Sequence, residues 1–223
     1  MAGTSYESSY STFQIKSDDP KTPAMIGEPV HVRYDLAERV AEITSEEEGE
    51  NAFQFPFVKY ESSISKVQWN LDKDLLTMSV NTTGDEGLGR FVSGNRKQDS
   101  LSFFASNAVY DLKGHILGLQ GVPNLIIANT RIVPDSGRVN IRRDAEMDAL
   151  ENATIEMNAY QKRHVIQNAY VNIFSRTQFE ATGIYRYGLG VKDTAEITIS
   201  NFKSELVGDT KKKEEFLTTA TAE

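Results

Sequence analysis

The chain has 223 residues, no cysteine, 24 Lys and Arg against 32 Asp and Glu, and a formal net charge of −8. Clustered cations are what grip phosphate backbones, so this balance argues against nucleic-acid binding, and the missing thiols remove disulfide frameworks, cysteine nucleophiles and cysteine-ligated zinc. With 39% hydrophobic residues, a mean hydropathy of −0.43 and no apolar run near the roughly 18 residues that span a bilayer, it reads as one large or two ordinary globular domains without a membrane-spanning segment.

Residues 1–10 are rich in Ser, Tyr and Gly and read as a disordered N-terminus. Neither a basic start nor an apolar core is visible there, so no signal peptide is expected; either the protein is cytosolic or this is an internal or processed piece of a longer one. A first β-repeat region is expected over 11–94. It holds an alternating strand at 12–16, a hairpin from 29–36 with 39–44, and an acidic solvated loop at 45–50. Residues 53–60 place Phe53, Phe55 and Phe57 on one face, with Pro56 marking an edge strand or a bulge. Residues 64–71 and 75–80 pair around Asp72-Lys73-Asp74, a spacing that invites calcium, but no further oxygen ligands follow and a polar turn is the better reading. The glycine-rich stretch 81–94 lacks the order of a phosphate-binding loop and reads as a flexible connection and the weakest point of the fold.

A second β-repeat region, continuous with the first, is expected over 95–207. Short strands pair 107–112 with 116–122 and 125–127 with 130–133, and Pro134-Asp135-Ser136-Gly137 turns the chain toward 138–141. Segment 145–167 mixes helical spacing of Met147, Leu150, Thr154 and Met157 with strand alternation over 154–159, and strands are favoured. Residues 179–187 form a strand in which Gly183 marks a bulge or close approach. Residues 195–202 and 205–207 complete the order, and 208–223 reads as a frayed tail.

One pattern recurs: aromatic, Asp or Asn, Leu, a polar turn, then spaced aliphatics. It occurs at Tyr34-Asp35-Leu36, Trp69-Asn70-Leu71 and Tyr110-Asp111-Leu112, 35 and 41 residues apart, an internal β-repeat. Asp35 and Asp111 stand just before a turn, where Asp bonds nearby backbone amides, so repetition favours a structural role over catalysis. A shorter Asn-Ala motif at Asn107, Asn152 and Asn168 suggests equivalent corners. The fold class expected is therefore all-β, stacked short-strand hairpins forming a jellyroll or solenoid-like sheet pair.

Chemistry is sparse. His31, His115 and His164 read as surface imidazoles without a second ligand at metal spacing, so no metal and no cofactor is expected. Ser63 and Lys66 match Ser-x-x-Lys by chance, because that chemistry needs a buried helix. Arg138 and Arg142 share a face and read as a solvated surface. No pair of carboxylates is expected in one groove, and placing Asp35, Asp72 or Asp111 in a shared cleft with a second acid would overturn the non-enzyme reading.

With Tyr-Asp-Leu, the hairpin that follows, Gly121-Val122 and the aliphatic spacing of 125–133 in hand, residues 101–187 resemble the OstA-type β-jellyroll repeats of lipopolysaccharide-transport proteins. The whole chain also resembles segments of large exported β-repeat proteins of Gram-negative bacteria. The resemblance implies a periplasmic or cell-surface location, a V-shaped trough, and stacking on neighbouring repeats or self-association through end strands. It implies that Val109, Leu112, Ile116, Leu119, Ile126, Ile132 and Ile141 point inward, filling a core or lining a channel for lipid or lipopolysaccharide. The reading is a non-catalytic, extracytoplasmic scaffold with lipid handling as its sharpest form. The alternative is an adhesin or glycan-binding sandwich using aromatics such as Tyr6, Tyr10, Tyr60 and Trp69, and the third is a β-helical polysaccharide-degrading enzyme.

Overall fold

The computed structural model describes residues 5–47, 52–79, 87–157, 164–188, 194–210 and 213–222, and it is nearly all β, 67% strand and 5% helix. Two curled antiparallel sheets divide the strands. The first, of 12 strands, is organised on β2 (Met25–Asp35). One edge of β2 carries β1 (Ser5–Ile15); on the other, residues 30–35 pair with β3 (Val40–Ser45) and residues 26–27 with β4 (Phe53–Phe55). Two arms leave β2 from these points. One continues from β3 through β6 (Lys66–Asn70), β7 (Leu75–Ser79), β10 (Asn107–Asp111), β11 (Ile116–Gln120) and β14 (Val139–Ile141). The other continues from β4 through β5 (Tyr60–Ser62), β8 (Gly89–Ser93) and β9 (Ser102–Ala105). The second sheet, of seven strands, runs β12 (Leu125–Ile127), β13 (Thr130–Val133), β15 (Leu150–Met157), β16 (His164–Ser175), β17 (Gln178–Gly188), β18 (Thr194–Thr210) and β19 (Lys213–Ala222).

The alternation of the sequence becomes rows of side chains across the long arm. Val32, Ile43, Val67, Met78, Ala108, Leu119 and Val139 are consecutive cross-strand partners, and every one is buried. Two residues along, Tyr34, Ala41, Trp69, Leu76, Tyr110, Leu117 and Ile141 form the next row. Because strand side chains alternate between faces, a one-residue slip of any strand would turn its share of both rows to solvent, and this fixes the register. The short arm closes over these rows. Phe55 meets Tyr110 edge-on at 5.8 Å and Phe57 stacks on His115 at 4.2 Å. A single apolar cluster extends from Ile15 to Phe202 and so joins both sheets.

The three sequence repeats are three successive hairpins, β2–β3, β6–β7 and β10–β11, each with a four-residue loop. Asp35 Oδ1 accepts from the amides of Ala37 and Glu38, Asn70 Oδ1 from Lys73, and Asp111 Oδ1 from Lys113 and Gly114, at 2.8–3.0 Å. The last loop residue is left-handed in each, Arg39 (φ 53), Asp74 (φ 53) and His115 (φ 52). That conformation is unfavourable for a side-chain-bearing residue. It also turns the carbonyl toward the next repeat, where Arg39 O accepts from Leu71 N at 3.1 Å and Asp74 O from Leu112 N at 3.0 Å. The side chains repeat the link, with Arg39 bonded to Asp72 at 2.5 Å and Lys113 to Asp74 at 2.9 Å. Asp72 and Asp74 are therefore ion-paired turn residues. A fourth hairpin has the same loop, since Pro56 opens β4–β5, Lys59 is left-handed (φ 52) and Lys59 O accepts from Gly94 N at 2.8 Å. Residues 53–60 are thus a hairpin inside the sheet and not an edge strand, because a proline in the first loop position owes the ladder no N–H.

In the second sheet a line of bulges crosses β15 to β18. Asn152 (φ 54), Asn168 (φ 49) and Asn201 (φ 51) sit at register shifts in β15, β16 and β18, and Gly183 sits at the one in β17. Bulges bend strands and raise their twist, so this line curls the sheet. The corners expected from the Asn-Ala motif are real at 152 and 168, whereas Asn107 merely begins β10. Gly183 is both bulge and close approach, because a Cβ there would stand 2.6 Å from Ile166 Cγ2.

Three expectations are corrected. β1 begins at Ser5, inside the segment read as disordered, and β19 occupies most of the tail read as frayed. Gly89 belongs to β8, where the chain passes directly over the Ile64 side chain, so its glycine serves proximity and not flexibility. The division at 94/95 between the two continuous repeat regions falls inside the first sheet: β9 to β11 stay in that sheet, and the chain crosses to the second at β12, returns at β14 and leaves at β15. The remaining loop residues at 81–86, the acidic residues 48–50 and residues 158–163 of the mixed segment lie outside the described residues; the parts of that segment in β15 and β16 are strands.

Candidate functional site: an open trough at the β1 end

β1 pairs with β2 and, among the described residues, with no other strand, and its side chains are mostly exposed. The curl of β2, β3 and β6 brings Phe13 of β1 to Trp69 of β6, ring centres 6.2 Å apart and edge-on. Between them opens a trough of about 440 Å³ whose walls include Tyr6, Phe13, Val32, Tyr34, Trp69 and Leu71, with Ala41 as floor. These are the β1 ends of the two apolar rows, where the short arm no longer covers the concave face. Past Trp69 the trough continues into a more polar cleft of about 630 Å³ lined by Lys16, Ser17, Asp18, Asp74, Leu112 and Lys113. The hydrogen bond from Lys113 to Asp74 holds the Lys113 ammonium above its ordinary range. His115 is stacked on Phe57, with Nε2 3.2 Å from Asp18 of the cleft lining. The indole Nε1 of Trp69 is buried and has no hydrogen-bond partner among the described residues. A smaller hollow of about 280 Å³ lies on the second sheet, between Met157, Ile166, Tyr185, Ile199 and Phe202.

The seven residues expected to line a channel do not come together. Leu119, Ile132 and Ile141 are buried in the core. Val109 and Ile116 are half-buried on the face of β10 and β11 opposite Ala108, Tyr110, Leu117 and Leu119. Ile126 is 46% exposed, and Leu112 alone borders the polar cleft. Between the arms the interior is filled by Phe53, Phe55, Tyr60, Phe91 and Tyr110, all fully buried. The trough residues that matter, Phe13, Val32 and Ala41, carried no signal of their own. Tyr34 and Trp69 did, as markers of the repeat. Of the aromatics expected on a binding face, Tyr6 and Tyr10 are exposed, but Tyr60 is in the core.

Two further expectations fare differently. Asp35, Glu38 and Glu42 line one shallow groove with Arg33 and Gln68, so acids do share a cleft. Asp35 is committed there to two turn amides. Of the histidines, His115 has a side chain only 18% exposed and is no surface imidazole. Among the described residues no group of three His, Asp or Glu could hold a metal ion, and no helix is long and apolar enough to cross a membrane.

The fold and trough define the class at the level of architecture, an all-β pair of curled sheets open at one end. No protein-family model, no curated protein and no solved structure matches the chain.

Proposed function

We propose that this chain is a non-catalytic β-repeat scaffold, OstA-like and extracytoplasmic, whose trough holds acyl chains of a lipid or lipopolysaccharide. The observation that carries the reading is the open apolar trough beside Trp69. Burial of apolar surface contributes roughly 25 cal/mol per Å², so leaving Tyr6, Phe13 and Leu71 around an unfilled hollow forgoes stability that a ligand chain would recover. The polar cleft beyond Trp69 would receive a headgroup. The outer edges of β1 and β19, unpaired among the described residues, are where neighbouring repeats or a second copy would add strands. The acids on the β2–β3 hairpin fit a scaffold because Asp35 is occupied by the turn and the groove is open to water.

Trp69 is the only tryptophan, so its emission reports on the trough directly. Titration with cis-parinaric acid is expected to quench Trp69 saturably, with lipopolysaccharide displacing the probe. Ala41→Phe, which fills the floor, is expected to weaken binding about tenfold, or ~1.4 kcal/mol. Absence of saturable quenching in the parent chain would remove lipid handling and leave the scaffold alone.

A further inference from the structure

Where β14, the last strand of the first sheet's long arm, turns into β15 of the second, a groove of about 300 Å³ opens on the outside of the molecule. Its lining is polar and of mixed sign: Asp135, Arg138, Asn140, Asp148, Glu151 and Asn152. One wall is held rigid. Arg142 grips Asp148 through both carboxylate oxygens at 2.5 and 3.0 Å, and Asp148 also accepts from Asn140 Nδ2 at 3.4 Å. The Arg142 hydrogen bond keeps the Asp148 carboxyl below its ordinary range, so it stays an acceptor. The backbones are tied as well, with Asp148 N donating to Asn140 O at 3.0 Å.

The opposite side carries groups with nothing to bond. Among the described residues the side chains of Arg138, Glu151 and Asn152 have no ion-pair or hydrogen-bond partner, and all three are exposed. They are a donor, an acceptor and an amide that does both. The bulge at Asn152 (φ 54) re-aims this part of β15. Leu150 pairs with Val171 and Ala153 with Ala169, which leaves Glu151 and Asn152 facing Tyr170 of β16. Tyr170 is 47% exposed on the outer face, so a large aromatic ring lies beside the polar groove.

We propose that this seam between the sheets binds a neutral oligosaccharide, with Arg138, Glu151 and Asn152 bonding its hydroxyls and Tyr170 stacking on the C–H face of a sugar ring. Hydroxyls donate and accept at once, and a set of donor, acceptor and amide side chains meets both needs. A pyranose also has an apolar face, which an aromatic ring with a polar tip covers while remaining wet. The charges disfavour an anion, since Asp135, Asp148 and Glu151 outnumber Arg138 and repel an acidic glycan. The site is on the outer face of the molecule and is independent of the trough.

The test is calorimetric titration of the whole chain with cellohexaose, maltohexaose and chitohexaose, and with trigalacturonic acid and spermidine as charged probes. At least one neutral oligomer is expected to bind saturably, and Tyr170→Ala and Glu151→Ala are each expected to weaken it tenfold or more. Both positions are exposed, so the melting curve and the Trp69 response to cis-parinaric acid should match the parent. No neutral oligomer binding at concentrations up to about 10 mM would overturn the proposal. So would a charged probe binding better than every neutral one, or neutral binding that survives both substitutions.

Discussion

Tyr110 stands at the centre of the long arm and decides whether the space between the arms is a dry core or a wet channel. It is fully exposed to neither solvent nor trough, at 0% accessibility between Leu76 and Leu117, with Phe55 edge-on to its ring. Its hydroxyl is buried and finds no hydrogen-bond partner among the described residues, and burial pushes the phenol well above its usual range. An unpaired buried hydroxyl costs about 1–3 kcal/mol. Tyr110→Phe removes the oxygen and keeps the ring, so it is expected to stabilise the chain by about 1–2 kcal/mol, raising Tm by roughly 2–8 °C for a protein of this size. Tyr110→Leu, which loses the ring contact, is expected to destabilise by about 1–3 kcal/mol. Urea unfolding followed by Trp69 emission and far-UV circular dichroism measures both. If Tyr110→Phe instead lowers stability by more than about 0.5 kcal/mol, the hydroxyl is bonded to water, and the interior between the arms is hydrated.

Asp111→Ala deprives the Lys113 and Gly114 amides of their acceptor and is expected to cost about 1 kcal/mol, similar to losing a helix cap; Asp35→Ala in the equivalent hairpin should match it in the same urea assay. Met78→Ala, in the middle of a fully buried row, is expected to cost about 2–5 kcal/mol, against under about 0.5 kcal/mol for exposed Thr77→Ala. Asp148 is held low by Arg142. Its contribution is therefore complete above the ordinary carboxyl range and disappears as pH falls through the lowered value; Asp148→Asn should flatten the acid limb of a Tm–pH curve by under about 1 kcal/mol, since the pair is partly exposed. Finally, no reducing sugar should be released from the neutral oligosaccharides by the parent chain. Turnover that Glu42→Gln abolishes would make the groove of Asp35, Glu38 and Glu42 catalytic.

The sequence by itself determined the local architecture. An aromatic, then Asp or Asn, then Leu before a polar turn located three hairpins and the bonds that Asp35 and Asp111 make, because those bonds lie within a few residues of their own side chains. The same locality explains Gly183 and the corners at Asn152 and Asn168, where a small or left-handed-tolerant residue is needed on the spot. Period-two alternation put Phe53, Phe55 and Phe57 on one face, and all three are buried, but alternation says only that a side chain leaves one face. Which face curls around what is set by pairing between distant strands. Only the tertiary structure forked β2 into two arms, and so filled the interior where the expected channel would have run. Only the curl that carries Phe13 to Trp69, 56 positions later in the chain, opened the trough at the β1 end. The seam at Arg138, Glu151 and Tyr170 likewise exists because two sheets meet there, and no local pattern records where a chain passes from one sheet to another.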